Sequence, residues 1–280
     1  MNLDFDLDGV KIAAQRWGSE SGKKILALHG WLDNSASFSI LKDSLSEFDI
    51  VALDLAGHGL SAHRQGRGAY NIWQDIVDVV DIAERLQWRQ FALLGHSRGA
   101  MISTLMAGAF PNLVSKLVVL DALLPMPLDE VELPGQLANY VKTALAVDTS
   151  YRKIFPSYEA AVAARQRGMF TLDRALAERL AERGVSQGDG GYYWHHDSKL
   201  MWPSEIKLSQ SQLQCWIDAV RCPALVFRAS RGIMQDQDTS EMLGGRDNFR
   251  VVEVDAEHHL HFSLDSEVTS LIADEIRHFI

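Results

Sequence analysis

Short, nearly continuous apolar runs recur along the chain and alternate with segments of helical periodicity. Strands that are buried on both faces have this pattern, so the runs predict a parallel sheet. The six runs are KILALHG (24–30), DIVALDLAGHG (49–59), QFALLGHS (90–97), KLVVLDA (116–122), PALVFRAS (223–230) and RVVEVDAEHH (250–259).

The segments between the runs and before them complete the predicted sheet. Residues 71–86 carry apolar side chains at helical spacing and acidic ones off that face. Strands that alternate with helices are typical of a doubly wound α/β sheet. Near the N-terminus, Asp8-Gly9 between LDFDL and VKIAAQRW predicts a β-hairpin, so the sheet begins with an antiparallel pair. We therefore expect a mostly parallel, eight-stranded α/β sheet flanked by helices.

The alternation stops after Asp121. In the following block, YEAAVAARQRGMF and LDRALAERLAERG predict helices, the second ending at Gly184, and SQGDGGYYWHHDSKL predicts a loop. We expect residues 1–122 and 221–280 to form the core, and residues 123–220 to form an inserted helical cap. Such a cap lies over the carboxyl ends of the strands, where open α/β sheets bind their ligands.

Composition narrows the class of protein. Of the 280 residues, 47% are hydrophobic, which is enough for a sizeable core. The net charge of −10 disfavours nucleic acid or an anionic membrane as the main partner. Two cysteines, Cys215 and Cys222, do not indicate a disulfide framework. The N-terminal residues lack an apolar signal segment and no apolar run is long enough to span a bilayer, so we expect a cytoplasmic protein without membrane insertion.

The segment GHSRGA contains the strongest candidate for chemistry, Ser97. An apolar strand leads into this serine and an Ala/Met/Leu-rich helix follows it. Gly95 and Gly99 flank the serine, as a sharp strand-to-helix turn requires. Such a turn exposes the hydroxyl at the positive end of the helix, where the next amide can stabilise an oxyanion. The alternative is an ordinary helix N-cap serine.

Four segments in the same order resemble the motifs of the α/β-hydrolase fold, and the similarity covers nearly the whole chain. ALHGWLD (27–33) resembles the oxyanion-hole loop, DLAGHGLS (54–61) the turn after the fourth strand, GHSRGA (95–100) the nucleophile elbow and DAEHHLHF (255–262) the loop of the catalytic histidine. The chain is similar in particular to the serine-hydrolase-like and mesoderm-specific-transcript-like subgroup. The resemblance implies a serine hydrolase.

The resemblance implies a base for Ser97 in the last of these segments. The family pattern H-x-x-H favours His258 as the base and His261 as a supporting histidine. We expect His259 to lie at the surface. A zinc site made of the three histidines is disfavoured, because no H-E-x-x-H frame and no neighbouring cysteine accompanies them. We therefore expect neither a metal nor a cofactor.

The resemblance also implies an oxyanion hole made of two backbone amides, those of Trp31 and Arg98. The Trp31 side chain is expected to line the pocket, and His29 to brace the loop. We expect the Arg98 side chain to be solvated at the helix start rather than to bind an acidic substrate.

The acid is where the sequence departs from the commonest family pattern, which places it after the seventh strand. There, FRASRGIMQDQD has Ser230 and Gly232 at the expected positions, and Asp236 and Asp238 follow several residues later. Some members carry the acid after the sixth strand, where Asp121 lies. We favour Asp121 as the acid, with Asp236 or Asp238 as the alternative.

A serine nucleophile implies an acyl-enzyme, so the expected substrate is a small-molecule ester, thioester or lactone. Epoxide hydrolases and haloalkane dehalogenases of this fold use aspartate instead. Aromatic residues of the predicted cap suggest an apolar acyl pocket; they are Tyr140, Phe155, Phe170, Tyr192, Tyr193, Trp194 and Trp202. Two other hypotheses are a ligand-binding or signalling protein with weak turnover, and a cofactor-free lyase or perhydrolase that uses the same triad.

Overall fold

A computed structural model describes residues 1–146, 152–235 and 239–280. Its strands are β1 (Asn2–Leu7), β2 (Val10–Gly18), β3 (Lys24–Leu28), β4 (Asp49–Leu53), β5 (Phe91–His96), β6 (Val114–Leu120), β7 (Val185–Gly188), β8 (Gly191–Trp194), β9 (Ala224–Arg231) and β10 (Phe249–Glu257). Its α-helices are α1 (Ile72–Arg85), α2 (Arg98–Ala109), α3 (Leu133–Ala146), α4 (Tyr158–Gln166), α5 (Arg174–Gly184), α6 (Gln210–Ala219), α7 (Thr239–Leu243) and α8 (Ser266–Phe279).

Eight of these strands form one sheet, in the order β1-β2-β4-β3-β5-β6-β9-β10. β2 pairs antiparallel with β1 and β4, and the other pairs are parallel. The predicted hairpin joins β1 to β2, and its two turn residues, Asp8 and Gly9, both have positive φ, as such a tight turn requires. The predicted mostly parallel, eight-stranded sheet is therefore confirmed.

The central strands are buried because helices cover both faces of the sheet. Successive side chains of a strand point to opposite faces. Accordingly, Leu26 and Leu28 of β3 belong to the core that includes α1 and α2, whereas Ile25 and Ala27 belong to the core that includes α8. This division gives a three-layer arrangement and explains why the apolar runs are continuous rather than alternating.

Between β6 and β9, the residues that the structure describes form four α-helices and a small hairpin. α5 ends at Gly184, as predicted. The segment that we predicted to be a loop contains the hairpin of β7 and β8, so that prediction was wrong. The glycines occupy the turn, where Gly190 and Gly191 have positive φ, while the aromatic run before His195 forms a strand.

The last helix of this block packs differently from the others. Leu213 and Ile217 of α6 belong to the core that includes α1 and α2. Leu176 and Leu180 of α5 belong to a separate small core. The division of the chain into a core and a cap at residues 123–220 stays a prediction. Among the described residues, no helix is both long and apolar enough to cross a membrane.

Candidate active site

The carboxyl ends of β3, β5, β6 and β10 meet at one edge of the sheet. Ser97 directly follows β5 and directly precedes α2. Its φ of 51° and ψ of −117° form the strained turn expected of a nucleophile elbow. A Cβ on Gly99 would lie 1.9 Å from the Leu28 carbonyl oxygen, and one on Gly95 would lie 2.5 Å from the Gly99 carbonyl oxygen. Both flanking glycines are therefore required by close backbone contact.

The ordinary N-cap alternative for Ser97 is not supported. This serine occupies the N-cap position of α2, but its side chain makes no capping hydrogen bond. Ser97 instead lines two cavities, which have this residue in common.

His258 and Asp121 form a buried pair beside Ser97. His258 Nδ1 lies 2.6 Å from Asp121 Oδ2. Because a carboxylate only accepts hydrogen bonds, Nδ1 carries a proton, and in the neutral imidazole Nε2 then keeps a lone pair. Asp121 also accepts hydrogen bonds from the amides of Ala229, at 3.1 Å, and Ile233, at 2.8 Å. These amides hold the carboxylate in place from the β9 side.

Gly232 explains why the usual acid position lacks a carboxylate. A Cβ on Gly232 would lie 2.0 Å from Asp121 Oδ2, so any side chain there would displace Asp121. Ser230 donates a hydrogen bond to the exposed Asp255 and takes no part in the pair. Asp236 and Asp238 lie outside the described residues. Their role as the alternative acid, like that of Asp121, stays a prediction.

The loop after β3 also contributes to the cavity at Ser97. Gly30 and Trp31 line the same cavity as Ser97 and His258. As predicted, His29 braces this loop: it is buried, and its Nε2 accepts a hydrogen bond from the Leu55 amide at 3.0 Å.

The two amides predicted for the oxyanion hole belong to different elements. Arg98 begins α2, so its amide is among the first N–H groups, which have no partner within the helix. The Trp31 side chain lines both cavities, as predicted, and donates its indole hydrogen bond to the Leu200 carbonyl at 3.0 Å. The roles of the two amides stay predictions.

The Arg98 side chain is mostly buried and ion-paired rather than free in solvent, so that expectation was wrong. Its guanidinium lies 2.5 Å from the buried carboxylate of Asp75 on α1 and also donates to the Tyr70 carbonyl. The Arg98 side chain therefore connects α1 to the elbow, and Asp75 neutralises its positive charge.

His259 is also placed differently from the expectation, because it is buried rather than at the surface. Its Nε2 lies 3.0 Å from Asp33 Oδ2, and Asp33 also binds Arg165 of α4 at 2.6 Å. Burial raises the pKa of Asp33, but Arg165 and His259 outweigh it and hold that pKa well below its usual range. Arg165, from the segment between β6 and β9, thus covers His259 and accounts for its burial.

His261 lies in a cluster of imidazoles. It is fully buried, and its ring centroid lies 4.3 Å from that of His96. Neither of its ring nitrogens has a hydrogen-bond partner among the described residues. Burial therefore lowers its pKa well below the usual range.

The two cavities at Ser97 differ in size and lining. The larger has a volume of about 580 Å³ and the smaller about 260 Å³. Apolar side chains dominate the larger cavity: Ile72, Met101, Pro125, Met126, Ile206 and Leu208. The smaller cavity contains His258 together with Met169 and Phe170. Of the seven aromatic residues proposed for the pocket, Phe170 alone lines either cavity.

Comparison with known proteins adds family evidence to this geometry. The sequence pattern of the alpha/beta hydrolase fold family matches residues 24–263. A serine hydrolase-like protein of Dictyostelium discoideum is 29% identical, over 97% of this chain and 79% of its own. An esterase of Mycobacterium tuberculosis is 27% identical, over 87% of this chain and 78% of the esterase. The crystal structure of a hypothetical protein from Pseudomonas aeruginosa PAO1 matches with a TM-score of 0.92 and 36% identity, over 99% of this chain and 97% of that one.

Proposed function

The chain belongs to the α/β hydrolase fold family, and from this membership and the geometry around Ser97 we propose that it cleaves carboxylic esters through an acyl-enzyme. Its matches to serine hydrolase-like proteins agree with the resemblance that the four motifs carry. In the proposed triad, Ser97 is the nucleophile, His258 the base and Asp121 the acid. The observation that carries the proposal is the 2.6 Å contact between His258 Nδ1 and Asp121 Oδ2.

The proposed chemistry uses the tautomer that this contact requires. His258 Nε2 takes the proton of Ser97 as its oxygen attacks the ester carbonyl, and Asp121 stabilises the resulting imidazolium. The amides of Trp31 and Arg98 would stabilise the oxyanion of the tetrahedral intermediate. His258 then gives its proton to the leaving alcohol. In the second half of the reaction, His258 takes a proton from water as the water attacks the acyl-enzyme, and it returns that proton to Ser97 as the acid is released.

The two cavities suggest where each half of the ester binds. The leaving group must lie near His258, which donates a proton to it. His258 lines the smaller cavity and is not among the residues that line the larger one. We therefore assign the alcohol portion to the smaller cavity and the acyl chain to the larger, apolar cavity. This assignment supports an ester with an apolar acyl group.

The binding-protein hypothesis had a single basis, the missing carboxylate after the seventh strand. The buried pair of Asp121 and His258, with Gly232 making room for it, supports the catalytic hypothesis instead. The block between β6 and β9 contributes Met169, Phe170 and Ile206 to the two cavities, which supports its proposed role as a cap.

Gly232→Ala is expected to lower kcat about 10²-fold without loss of the fold. The added methyl group overlaps Asp121 Oδ2, so the carboxylate must shift, and a displacement of about 1 Å in a catalytic group costs activity on this scale. The measurement is the turnover of p-nitrophenyl butyrate. Gly68→Ala is the matched control, since a methyl group there meets open space. Equal activity of the two variants would contradict the proposed position of the acid.

Lengthening the acyl chain of p-nitrophenyl esters from acetate to octanoate is expected to raise kcat/KM about 3- to 4-fold per methylene until the cavity is filled. This factor corresponds to about 0.8 kcal/mol for each buried CH₂. Met101→Trp narrows the larger cavity and should remove the gain for octanoate while sparing acetate. Met169→Trp alters the smaller cavity and should keep the dependence on chain length. If Met169→Trp removes the gain for octanoate and Met101→Trp does not, the acyl chain binds in the smaller cavity and the alcohol portion in the larger one.

A further inference from the structure

A second polar cluster adjoins Ser97 and is not used by the proposed triad. His96, directly before the serine, is fully buried. Its Nε2 lies 3.0 Å from the His258 carbonyl oxygen, which can only accept, so Nε2 carries the proton and Nδ1 keeps a lone pair. Nδ1 has no hydrogen-bond partner among the described residues, although it lies 3.9 Å from Asp33 Oδ2. A buried, unpaired lone pair therefore faces a buried carboxylate.

His259 completes a set of three donor atoms. One ligand atom from each of Asp33, His96 and His259 lies within 4.8 Å of the other two. Ligands of a tetrahedral zinc ion, at bond lengths of about 2.0–2.2 Å, are about 3.4 Å apart. The 3.0 Å and 3.9 Å separations from Asp33 Oδ2 bracket that value. Small side-chain movements would bring the three atoms to coordinating distance.

Gly30 leaves room between two of these donors. A Cβ on Gly30 would lie 2.9 Å from His96 Nδ1 and 3.2 Å from Asp33 Oδ2. All three ligand residues and Gly30 also line the smaller cavity, which contains Ser97. The space between the donors thus opens into the proposed active site.

We propose that Asp33, His96 and His259 bind a divalent transition-metal ion of the zinc type, and that the bound ion inhibits the enzyme. Two imidazoles and one carboxylate are a donor set that such ions accept. Binding requires His259 to move its proton from Nε2 to Nδ1, so that Nε2 can coordinate. The fourth position faces the cavity and is available to water.

The charge of Arg165 opposes the metal ion. Its guanidinium lies 2.6 Å from Asp33 Oδ1 and 3.3 Å from His259 Nε2. A metal ion must therefore displace this guanidinium or share the carboxylate with it. Removal of the arginine charge is expected to tighten metal binding, a gain of function that a merely unfolded variant does not show.

The inhibitory part of the proposal rests on the proposed function. The ring centroid of His258 lies 4.7 Å from that of His96. The three ligand residues line the smaller cavity together with Ser97 and His258, and this is the cavity to which the alcohol portion of the ester is assigned. A bound ion with its water should therefore exclude the leaving group and lower kcat/KM. Binding itself does not depend on whether the protein cleaves esters.

The test is a titration of the purified full chain with Zn²⁺ by calorimetry, and with Co²⁺ by visible absorption. We expect one ion per wild-type chain, at least 10-fold weaker binding for His259→Gln and at least 10-fold tighter binding for Arg165→Met. Ser97→Ala should bind as the wild type does, and His278→Ala removes an exposed histidine as a control for non-specific binding.

Absence of binding in both the wild type and Arg165→Met would overturn the site. So would binding that is lost in His258→Ala and unchanged in His259→Gln, since the metal ion would then occupy the triad histidine. If metal binds as proposed and no esterase activity is found, the proposed function fails and the metal site stands. If metal binds and the active enzyme keeps its kcat/KM, the inhibitory role fails.

Discussion

Replacement of Ser97 by alanine is expected to lower kcat for p-nitrophenyl butyrate by about 10⁶-fold, the scale on which removal of the serine acts in other triads. The reason is that alanine has no oxygen to form the acyl-enzyme. The oxyanion amides and the two cavities are untouched, so the residual rate should still exceed that of the uncatalysed reaction. The measurement is steady-state turnover with circular dichroism of the same sample.

Ser103→Ala is the matched control for this substitution. This serine lies on α2, six positions after the elbow, and its hydroxyl is buried and donates to the Gly99 carbonyl oxygen. Its loss should affect stability more than turnover. Wild-type turnover in Ser97→Ala would contradict the assignment of the nucleophile.

Asp121→Asn is expected to lower kcat by about 10⁴-fold while the fold stays intact. An asparagine amide oxygen can accept from His258, but its NH₂ group can equally donate and favour the wrong tautomer, and the amide cannot stabilise the imidazolium. Asp121 is fully buried and accepts two backbone hydrogen bonds, so a measured melting temperature must accompany the kinetics.

Asp236→Asn and Asp238→Asn test the alternative acid directly. Both variants should keep turnover close to that of the wild type. A large loss of kcat in either of them, with little loss in Asp121→Asn, would move the acid to the loop after β9.

The sheet was predictable because its determinants are local in sequence. Continuous apolar runs such as residues 24–30 can be buried on both faces only between two layers of helices, and Asp8-Gly9 supplies the positive φ of a tight hairpin. The elbow was predictable for the same reason, since Gly95 and Gly99 are required by the turn itself. The hairpin of β7 and β8 was missed because its turn glycines outweighed the short aromatic strand in the sequence pattern.

Features that depend on distant segments were not predictable from one sequence. The burial of His259 results from Asp33 and Arg165, which lie far from it and from one another along the chain. The donor set with His96 arises because the carboxyl ends of β3, β5 and β10 lie at one edge of the sheet, so no local metal motif marks it. The position of Asp121 did leave a signal in the sequence, namely Gly232. A glycine at the usual acid position is consistent with an acid that comes from the end of β6.

The central claim is that Ser97 becomes acylated, and labelling with a fluorophosphonate followed by intact-mass measurement and peptide mapping tests it most directly. The account predicts one adduct per wild-type chain, located on Ser97, and no adduct on the Ser97→Ala protein under the same conditions. An adduct on another residue, or an adduct on Ser97→Ala equal to that on the wild type, would contradict it.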